Sequence, residues 1–260
     1  MIPIQVDGRP LAGGRLPAVC APLVARSRAA LAAEAAAVAA KRPDLLEWRV
    51  DFFEAIADPR EVLAALSDLR AASAGIPILF TRRCQREGGQ PIALDEAQVL
   101  ALYEAVAASG GVDLVDFEMG NEAAHVAQVR ALTRRHGLPL VLSFHDFERT
   151  PADAELRARF EQARRLQADV AKVAVMPQSM EDVHRLLGAT LQASGSLGIP
   201  VISMAMGGLG AVTRLCGGVF GSALTFAVGA AASAPGQIPI EEVRAALAVL
   251  QRATQAPTAG

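Results

Sequence analysis

Residues 168–177 read ADVAKVAVMP, in which a short apolar run from Val170 to Val175 is interrupted by Lys172. Such a run of mostly β-branched residues predicts a buried strand. Burying an ammonium group there costs several kcal/mol, unless the group is paired or gives up its proton. The chain has 25 lysines and arginines, yet Lys41 and Lys172 are its only lysines. Because a neutral lysine is a nucleophile and arginine keeps its proton, Lys172 is a candidate catalytic residue.

Similar strand-like runs recur along the chain and alternate with helical runs such as 26–41 and 154–167. The predicted strands span 18–24, 44–50, 77–82, 112–118, 138–144, 168–175, 199–204 and 219–226. Eight strand–helix units in 260 residues are typical of a (β/α)8 TIM barrel in the α/β class. An open, doubly wound sheet is the alternative fold. It usually has a glycine-rich turn after its first strand, and the segment PLVARS has no glycine.

Composition excludes several classes of protein. Hydrophobic residues make up 52% of the chain, which excludes intrinsic disorder, and a net charge of −2 argues against nucleic-acid binding. Cys20, Cys84 and Cys216 are odd in number and far apart, so we expect reduced thiols in a cytoplasmic protein. Segment 215–240 has no charged residue, but its glycines, serines and prolines argue against a membrane span. We predict one domain over 1–260, with residues 254–260 as a loose tail.

Polar residues cluster at the C-terminal ends of the predicted strands, where the active sites of barrels form. The two-residue period of a strand places Glu47, Arg49 and Asp51 on one side. Further polar residues near strand ends are Thr81, Arg82, Arg83, Asp116, Glu118, Ser143, His145, Asp146 and Lys172.

A lysine and a histidine in one pocket can form a Schiff base with a carbonyl and remove the neighbouring proton. Each residue also has a structural interpretation. Lys172 could be an ion-paired side chain, His145 a structural histidine, and Glu47 with Arg49 an ion pair at the barrel mouth.

Several motifs together resemble the signatures of type I 3-dehydroquinate dehydratase, in that family's order and spacing. They are EWRVDFF (47–53), FTRRCQREGG (80–89), SFHDFERTP (143–151), AKVAVMP (171–177), SMAMGGLGAVTR (203–214), VFGSALTF (219–226) and SAPGQI (233–238). The resemblance covers residues 18 to 250. It implies a (β/α)8 barrel with a short N-terminal β-hairpin within residues 1–17, and a homodimer. It also implies a cytoplasmic enzyme that uses no metal or cofactor. The implied reaction is the syn-elimination of water from 3-dehydroquinate to give 3-dehydroshikimate. This is the third step towards chorismate and the aromatic amino acids.

The resemblance also implies roles for individual residues. Lys172 matches the Schiff-base lysine, His145 the general base and acid, and Glu87 the carboxylate that positions the histidine. Arg214 matches the arginine that binds the substrate carboxylate. The other implied substrate contacts are Glu47, Arg49, Arg83, Ser233, Gln237, Met204 and Met206. Asp116 and Glu118 match supporting residues near the lysine, and arginines are expected next to Lys172.

This chain departs from the family pattern at three places. Arg82 stands where many relatives have an aromatic residue; Arg83 keeps the spacing to Glu87 and is therefore the predicted pocket arginine. Thr213 replaces a usual serine, and MGGLGAV lacks a polar residue that is often present. Two alternatives stay open from the residues alone. One is a class I aldolase-like barrel lyase with a phosphate site, and the other is an inactive binding relative.

Overall fold

The computed structural model describes residues 1–14 and 17–255, along which strands and helices alternate. The strands are β1 (Gln5–Val6), β2 (Arg9–Pro10), β3 (Ala18–Leu23), β4 (Leu45–Arg49), β5 (Ile78–Thr81), β6 (Leu114–Glu118), β7 (Leu140–Asp146), β8 (Val170–Val175), β9 (Val201–Ala205), β10 (Leu224–Val228) and β11 (Ile238–Pro239). The helices are α1 (Arg28–Ala39), α2 (Pro59–Ala72), α3 (Glu96–Ala108), α4 (Ala123–Arg135), α5 (Asp153–Arg165), α6 (Met180–Ser196), α7 (Gly207–Cys216) and α8 (Ile240–Gln255).

Strands β3 to β10 form a parallel sheet that closes on itself. Each strand from β3 to β8 pairs with the next one along the chain, and β10 pairs with β3. A bridge between Val201 and Ser222 joins β9 to the segment before β10, and the Ala223 N–H donates to the Val201 carbonyl at 2.7 Å. This closure confirms the predicted (β/α)8 barrel and excludes the open sheet.

Side chains of the barrel strands alternate between an outer core under the helices and the barrel interior. On β8, Val173 packs outward, while Val170 and Ala174 belong to the inner cluster and Lys172 lies between them. The lower part of the interior is apolar, and its side chains are Leu45, Leu79, Leu114, Val141, Val170, Ile202 and Leu224. Burying each of them contributes about 1.5–3 kcal/mol. The polar inward side chains are therefore confined to the C-terminal mouth of the barrel.

The N-terminal hairpin covers the opposite end of the barrel. β1 and β2 pair antiparallel, with Val6 opposite Arg9, around an Asp7-Gly8 turn in which both residues have positive φ, 49° and 72°. An Asp-Gly pair is favoured in this type I′ turn. Ile4 and Val6 are buried in the inner cluster, so the hairpin closes the apolar floor. Pairing is confined to 5–10, a 3₁₀ turn follows over Leu11–Gly14, and part of the predicted 1–17 segment lies outside the described residues.

Differences from the predicted elements lie mainly near the C-terminal end. The predicted strand 219–226 begins only at Leu224, because residues 217–220 form a 3₁₀ turn that ends at Gly221 with φ 100°. Helix α8 continues through Thr254 and Gln255, so the predicted loose tail is wrong at those two positions; 256–260 lie outside the described residues. None of the helices in the described part of the chain is long and apolar enough to cross a membrane.

Candidate active site

A pocket of about 420 Å³, its mouth included, opens at the C-terminal ends of the barrel strands. Ten of the predicted site residues line it, namely Glu47, Arg49, Arg83, Glu87, His145, Lys172, Met204, Met206, Ser233 and Gln237. Asp116, Glu118 and Arg214 lie behind its wall. Phe147 and Phe226 also line the pocket, although the sequence had suggested no role for either.

Lys172 points from β8 into the base of this pocket, and it is 3% exposed. Its Nζ lies 3.1 Å from Asp116 Oδ2 and 3.5 Å from Glu47 Oε1. Nζ also lies 4.6 Å from the centre of the Phe226 ring, which gives a cation–π contact. The charged groups in contact with Nζ are thus carboxylates. The expected arginine neighbour is Arg83, which reaches Nζ through the shared carboxylate of Asp116, because β4 and β6 bring acidic residues to this level of the barrel.

A buried network holds Asp116 in place. Its Oδ1 accepts hydrogen bonds from Arg83 Nη2 and Ser143 Oγ, both at 2.7 Å, and Arg83 Nη1 lies 3.2 Å from Glu118 Oε1. Burial alone would raise the pKa of Asp116, but the charges of Arg83 and Lys172 outweigh it and lower that pKa. The pKa of Arg83 is raised because its carboxylate neighbours outweigh its burial. Asp116 is therefore an ionised, fixed acceptor beside Lys172.

His145 and Glu87 form a hydrogen-bonded pair at the pocket wall. Glu87 Oε2 lies 2.8 Å from His145 Nδ1 and also accepts the His145 backbone N–H at 3.0 Å. A proton on Nδ1 satisfies this contact and leaves the Nε2 lone pair free.

Burial is the largest cause of the pKa shifts of Glu87 and His145. It raises the pKa of Glu87 to about 8, although Arg83 opposes the shift. Burial and the positive charges of Arg83, Lys172 and Arg49 lower the pKa of His145 well below its usual value. A neutral imidazole with a free Nε2 can act as a general base.

β4 supplies a second polar wall of the pocket. Glu47 Oε1 accepts a hydrogen bond from Thr81 Oγ1 at 3.0 Å, and Arg49 makes a bidentate ion pair with Asp51, with both distances 2.8 Å. Asp51 Oδ1 also accepts the backbone N–H of Arg83 at 3.3 Å. This buried aspartate therefore ties the end of β4 to the chain after β5, and it orients Arg49.

Arg82 and Arg83 point in opposite directions after β5. Thr81 faces the interior, so the two-residue period carries Arg83 inward as well. Arg82 instead donates from Nη2 to Glu96 Oε1 of α3 at 2.8 Å, outside the pocket. Arg83 is thus the pocket arginine, as the spacing to Glu87 had suggested.

Arg214 on α7 is a buried cation, and the part of the chain that the structure describes gives it no counter-ion. It is 1% exposed, and among the described residues no carboxylate lies within 4 Å of its guanidinium. Nη1 donates to the Phe226 carbonyl at 3.3 Å and Nη2 to the Pro235 carbonyl at 3.1 Å, while Nε has no partner. Burial lowers the pKa of Arg214 to about 10. A buried guanidinium of this kind offers a binding site for an anion.

The roof loop, residues 229–237, crosses the pocket between β10 and β11. The Ser233 N–H donates to Gln237 Oε1 at 3.0 Å, and Gln237 Nε2 donates to Ser233 Oγ at 3.3 Å. The Gly207 N–H and Arg214 Nη2 both donate to the Pro235 carbonyl. The roof loop is therefore attached to both ends of α7.

Phe147 could have been found from the sequence. It lies two residues after His145, so the strand period places the two on the same side. The Phe147 ring stacks near His145, with centroids 6.5 Å apart and an interplanar angle of 23°. Phe226 gave no such signal, because its contact with Lys172 joins β10 to β8 across the barrel.

Known proteins of one family are similar to this chain along nearly its whole length. The family model described as type I 3-dehydroquinase matches residues 19–254. The 3-dehydroquinate dehydratase of Albidiferax ferrireducens is 54% identical over 251 residues, which are 96% of this chain and 95% of that protein.

Solved structures give the same result. The crystal structure of 3-dehydroquinate dehydratase from Geobacillus kaustophilus HTA426 is 52% identical, with a TM-score of 0.93 over 97% of this chain and 98% of that one. The type I enzyme from Clostridium difficile, solved with covalent modified comenic acid, is 35% identical, with a TM-score of 0.92 over 97% and 100%. This chain belongs to the type I 3-dehydroquinase family.

Proposed function

We propose that this chain removes water from 3-dehydroquinate to give 3-dehydroshikimate, through an imine between the substrate and Lys172. The observation that carries the proposal is the meeting of Lys172 with the His145–Glu87 pair in one pocket of a chain of this family. The reaction is a carbon–oxygen lysis in which protein side chains supply the nucleophile, the base and the acid.

The first step is the formation of the imine. Lys172 Nζ gives one proton to His145 Nε2 and attacks the C3 ketone carbon, so that a carbon–nitrogen bond forms. The carbonyl oxygen then leaves as water, with that proton from His145 and a second proton from Nζ. The product is a protonated imine, which withdraws electrons from the adjacent carbon. The Clostridium difficile relative was solved with covalent modified comenic acid, which supports covalent chemistry in this family.

The second step is the elimination. His145 Nε2 removes a proton from C2, and the electron pair moves towards the imine. The electrons then return to expel the C1 hydroxyl, which leaves as water with the proton from the imidazolium. The same histidine removes the C2 proton and protonates the C1 hydroxyl. Both groups therefore leave from the same face of the ring, and the elimination is syn. Water then hydrolyses the imine and frees Lys172.

Glu87 sets the tautomer and charge of His145 throughout this sequence. Its support is the 2.8 Å contact with Nδ1 together with the backbone hydrogen bond to the same oxygen. Met204 and Met206 offer apolar surface to the substrate ring. We assign the substrate hydroxyls to Glu47, Arg49, Arg83, Ser233 and Gln237.

Arg214 is proposed to bind the substrate carboxylate, because it is buried and lacks a counter-ion among the described residues. It lies behind the pocket wall, so the carboxylate would take hydrogen bonds now made to Pro235 and use the free Nε. This arginine also weighs against the aldolase alternative, since a bidentate guanidinium matches a planar carboxylate.

The oligomeric state and the cellular location are proposed from the family and from the cysteines. We propose a homodimer that works in the cytoplasm, where Cys20, Cys84 and Cys216 stay reduced. Light scattering on a sizing column tests the dimer, since a monomeric mass at working concentration would refute it.

Borohydride trapping tests the imine. The protein is incubated with 3-dehydroquinate, reduced with borohydride, digested and analysed by mass spectrometry. The chain offers an internal control because its one other lysine, Lys41, lies outside the pocket and contacts the Gly229 carbonyl and Glu241. We expect substrate-dependent mass on the peptide with Lys172 and none on that with Lys41. A folded protein that produces 3-dehydroshikimate without this adduct would refute the mechanism. One that makes neither would refute the function.

A further inference from the structure

We propose that Asp116 is the counter-ion and hydrogen-bond acceptor of the protonated imine on Lys172. Once the imine has formed, Glu47 no longer contacts the nitrogen and instead contacts the substrate. The inference deepens the proposed function and rests on it. It makes Asp116, which the sequence suggested only as a supporting residue, a catalytic residue in contact with the reacting nitrogen.

Of the two carboxylates beside Nζ, Glu47 lines the pocket and Asp116 does not. Glu47 lines the pocket, on the side from which a substrate carbonyl must approach. Asp116 is fully buried and does not line the pocket, so it contacts Nζ from the wall of the barrel. Asp116 is also the closer, at 3.1 Å against 3.5 Å for Glu47.

Imine formation changes what the nitrogen can donate. The ammonium group of Lys172 has three N–H bonds, and the protonated imine has one. The new carbon–nitrogen bond must point towards the pocket, where the substrate lies. The remaining N–H then points away from the pocket, to Asp116. Glu47, whose contact with Nζ is an ion pair at 3.5 Å, is then free to accept a hydrogen bond from a substrate hydroxyl.

The surroundings of Asp116 suit a permanent anion. Ser143 and Arg83 hold Oδ1, which leaves Oδ2 for the nitrogen. Arg83 and Lys172 outweigh burial and lower the pKa of Asp116, so the group stays ionised at neutral pH. A fixed carboxylate in a buried site favours the protonated imine over the neutral one. The protonated imine is the form that accepts the electrons released at C2.

Other ionisable groups face the same space from each neighbouring strand. They are Cys20 on β3, Glu47 and Arg49 on β4, Arg83 and Glu87 after β5, Asp116 and Glu118 on β6, and His145 on β7. A general electrostatic effect of this cluster would make the loss of either contacting carboxylate equally harmful. The specific assignment predicts unequal effects, because only one acceptor remains bonded in the imine.

Cyanoborohydride reduces the protonated imine, so the pH dependence of trapping reports how well that form is stabilised. It therefore distinguishes a specific role of Asp116 from a general electrostatic effect of the cluster. The trapping rate at saturating 3-dehydroquinate is measured for wild type, Asp116→Asn and the matched control Glu47→Gln. The upper pH midpoint is the alkaline pH at which the trapping rate has fallen to half of its maximum. It should fall by about 1–3 pH units in Asp116→Asn, the usual effect of removing one adjacent charge. It should fall by less than about half of that in Glu47→Gln.

Three outcomes are informative. Equal midpoint shifts, or a larger shift in Glu47→Gln, would overturn the assignment while leaving the imine intact. No adduct on Lys172 in wild type would refute the imine itself, and the assignment with it. Should Asp116→Asn fail to fold, Ser143→Ala removes one of the two bonds that hold Oδ1. That variant should shift the midpoint in the same direction by a smaller amount, and an unchanged midpoint would overturn the assignment.

Discussion

The His145–Glu87 pair predicts a specific loss of stability between pH 6.5 and pH 8, which Glu87→Gln should abolish. In the folded protein burial raises the pKa of Glu87 to about 8 and lowers that of His145 well below 6.5. The folded pair therefore keeps one proton until about pH 8. In the unfolded chain the two groups titrate near their ordinary values, 4.5 and 6.5.

The sign follows from the number of protons in each state. A little below pH 6.5 both states hold one proton on the pair, on Glu87 when folded and on His145 when unfolded, so the pair adds no slope to the free energy of unfolding there. Above 6.5 the unfolded chain has lost its proton and the folded pair has not, so the free energy of unfolding falls as pH rises. At about 1.36 kcal/mol per unit, the 1.5 units up to pH 8 amount to about 2 kcal/mol.

Glu87→Gln is the matched control, because its amide oxygen can still accept both hydrogen bonds while the titrating carboxyl is gone. Its folded His145 and its unfolded His145 are both neutral above pH 6.5, so no slope remains from this site. Urea unfolding of both proteins at pH 6.5 and at pH 8 measures the difference. The proton count would be refuted if the free energy of unfolding fell equally in the two proteins between pH 6.5 and pH 8, or if it rose in wild type.

Three further predictions concern the lysine, the roof loop and the buried arginine. Lys172→Arg should fold and show no turnover, since arginine keeps the charge but forms no imine; detectable 3-dehydroshikimate would contradict this. Gly236→Ala should raise KM at least about tenfold, because a Cβ there would overlap the Gly207 backbone where the roof loop attaches, whereas Gly208→Ala meets no atom within 4 Å and should match wild type. Arg214→Met should raise KM by about a hundredfold, or about 3 kcal/mol, yet unfold no more easily in urea, because it removes an unpaired buried charge. A clear loss of stability in that variant would count against this.

Much of the site could be predicted from the order and period of the residues. On β4, β7 and β8 a two-residue period decides which side chains share the interior, and it correctly predicts that Glu47, His145 and Lys172 face inward. The same period predicts that Arg83 and Arg82 lie on opposite sides of their segment. The strand that was placed too early, 219–226, failed because glycine-rich segments carry little periodic signal.

The sequence by itself determined the eight-stranded barrel and the family, since each depends on local period and on the order of motifs along the chain. Only the tertiary structure decided which charges meet. Asp116 is 56 residues from Lys172, and Arg83 is 33 from Asp116, yet closure of the barrel brings them within 3.1 Å and 2.7 Å. Closure likewise buries Arg214, which lowers its pKa, and gives Glu87 and His145 their shifted pKa values. Burial and cross-strand distance are properties of the closed barrel, and no single strand contains either.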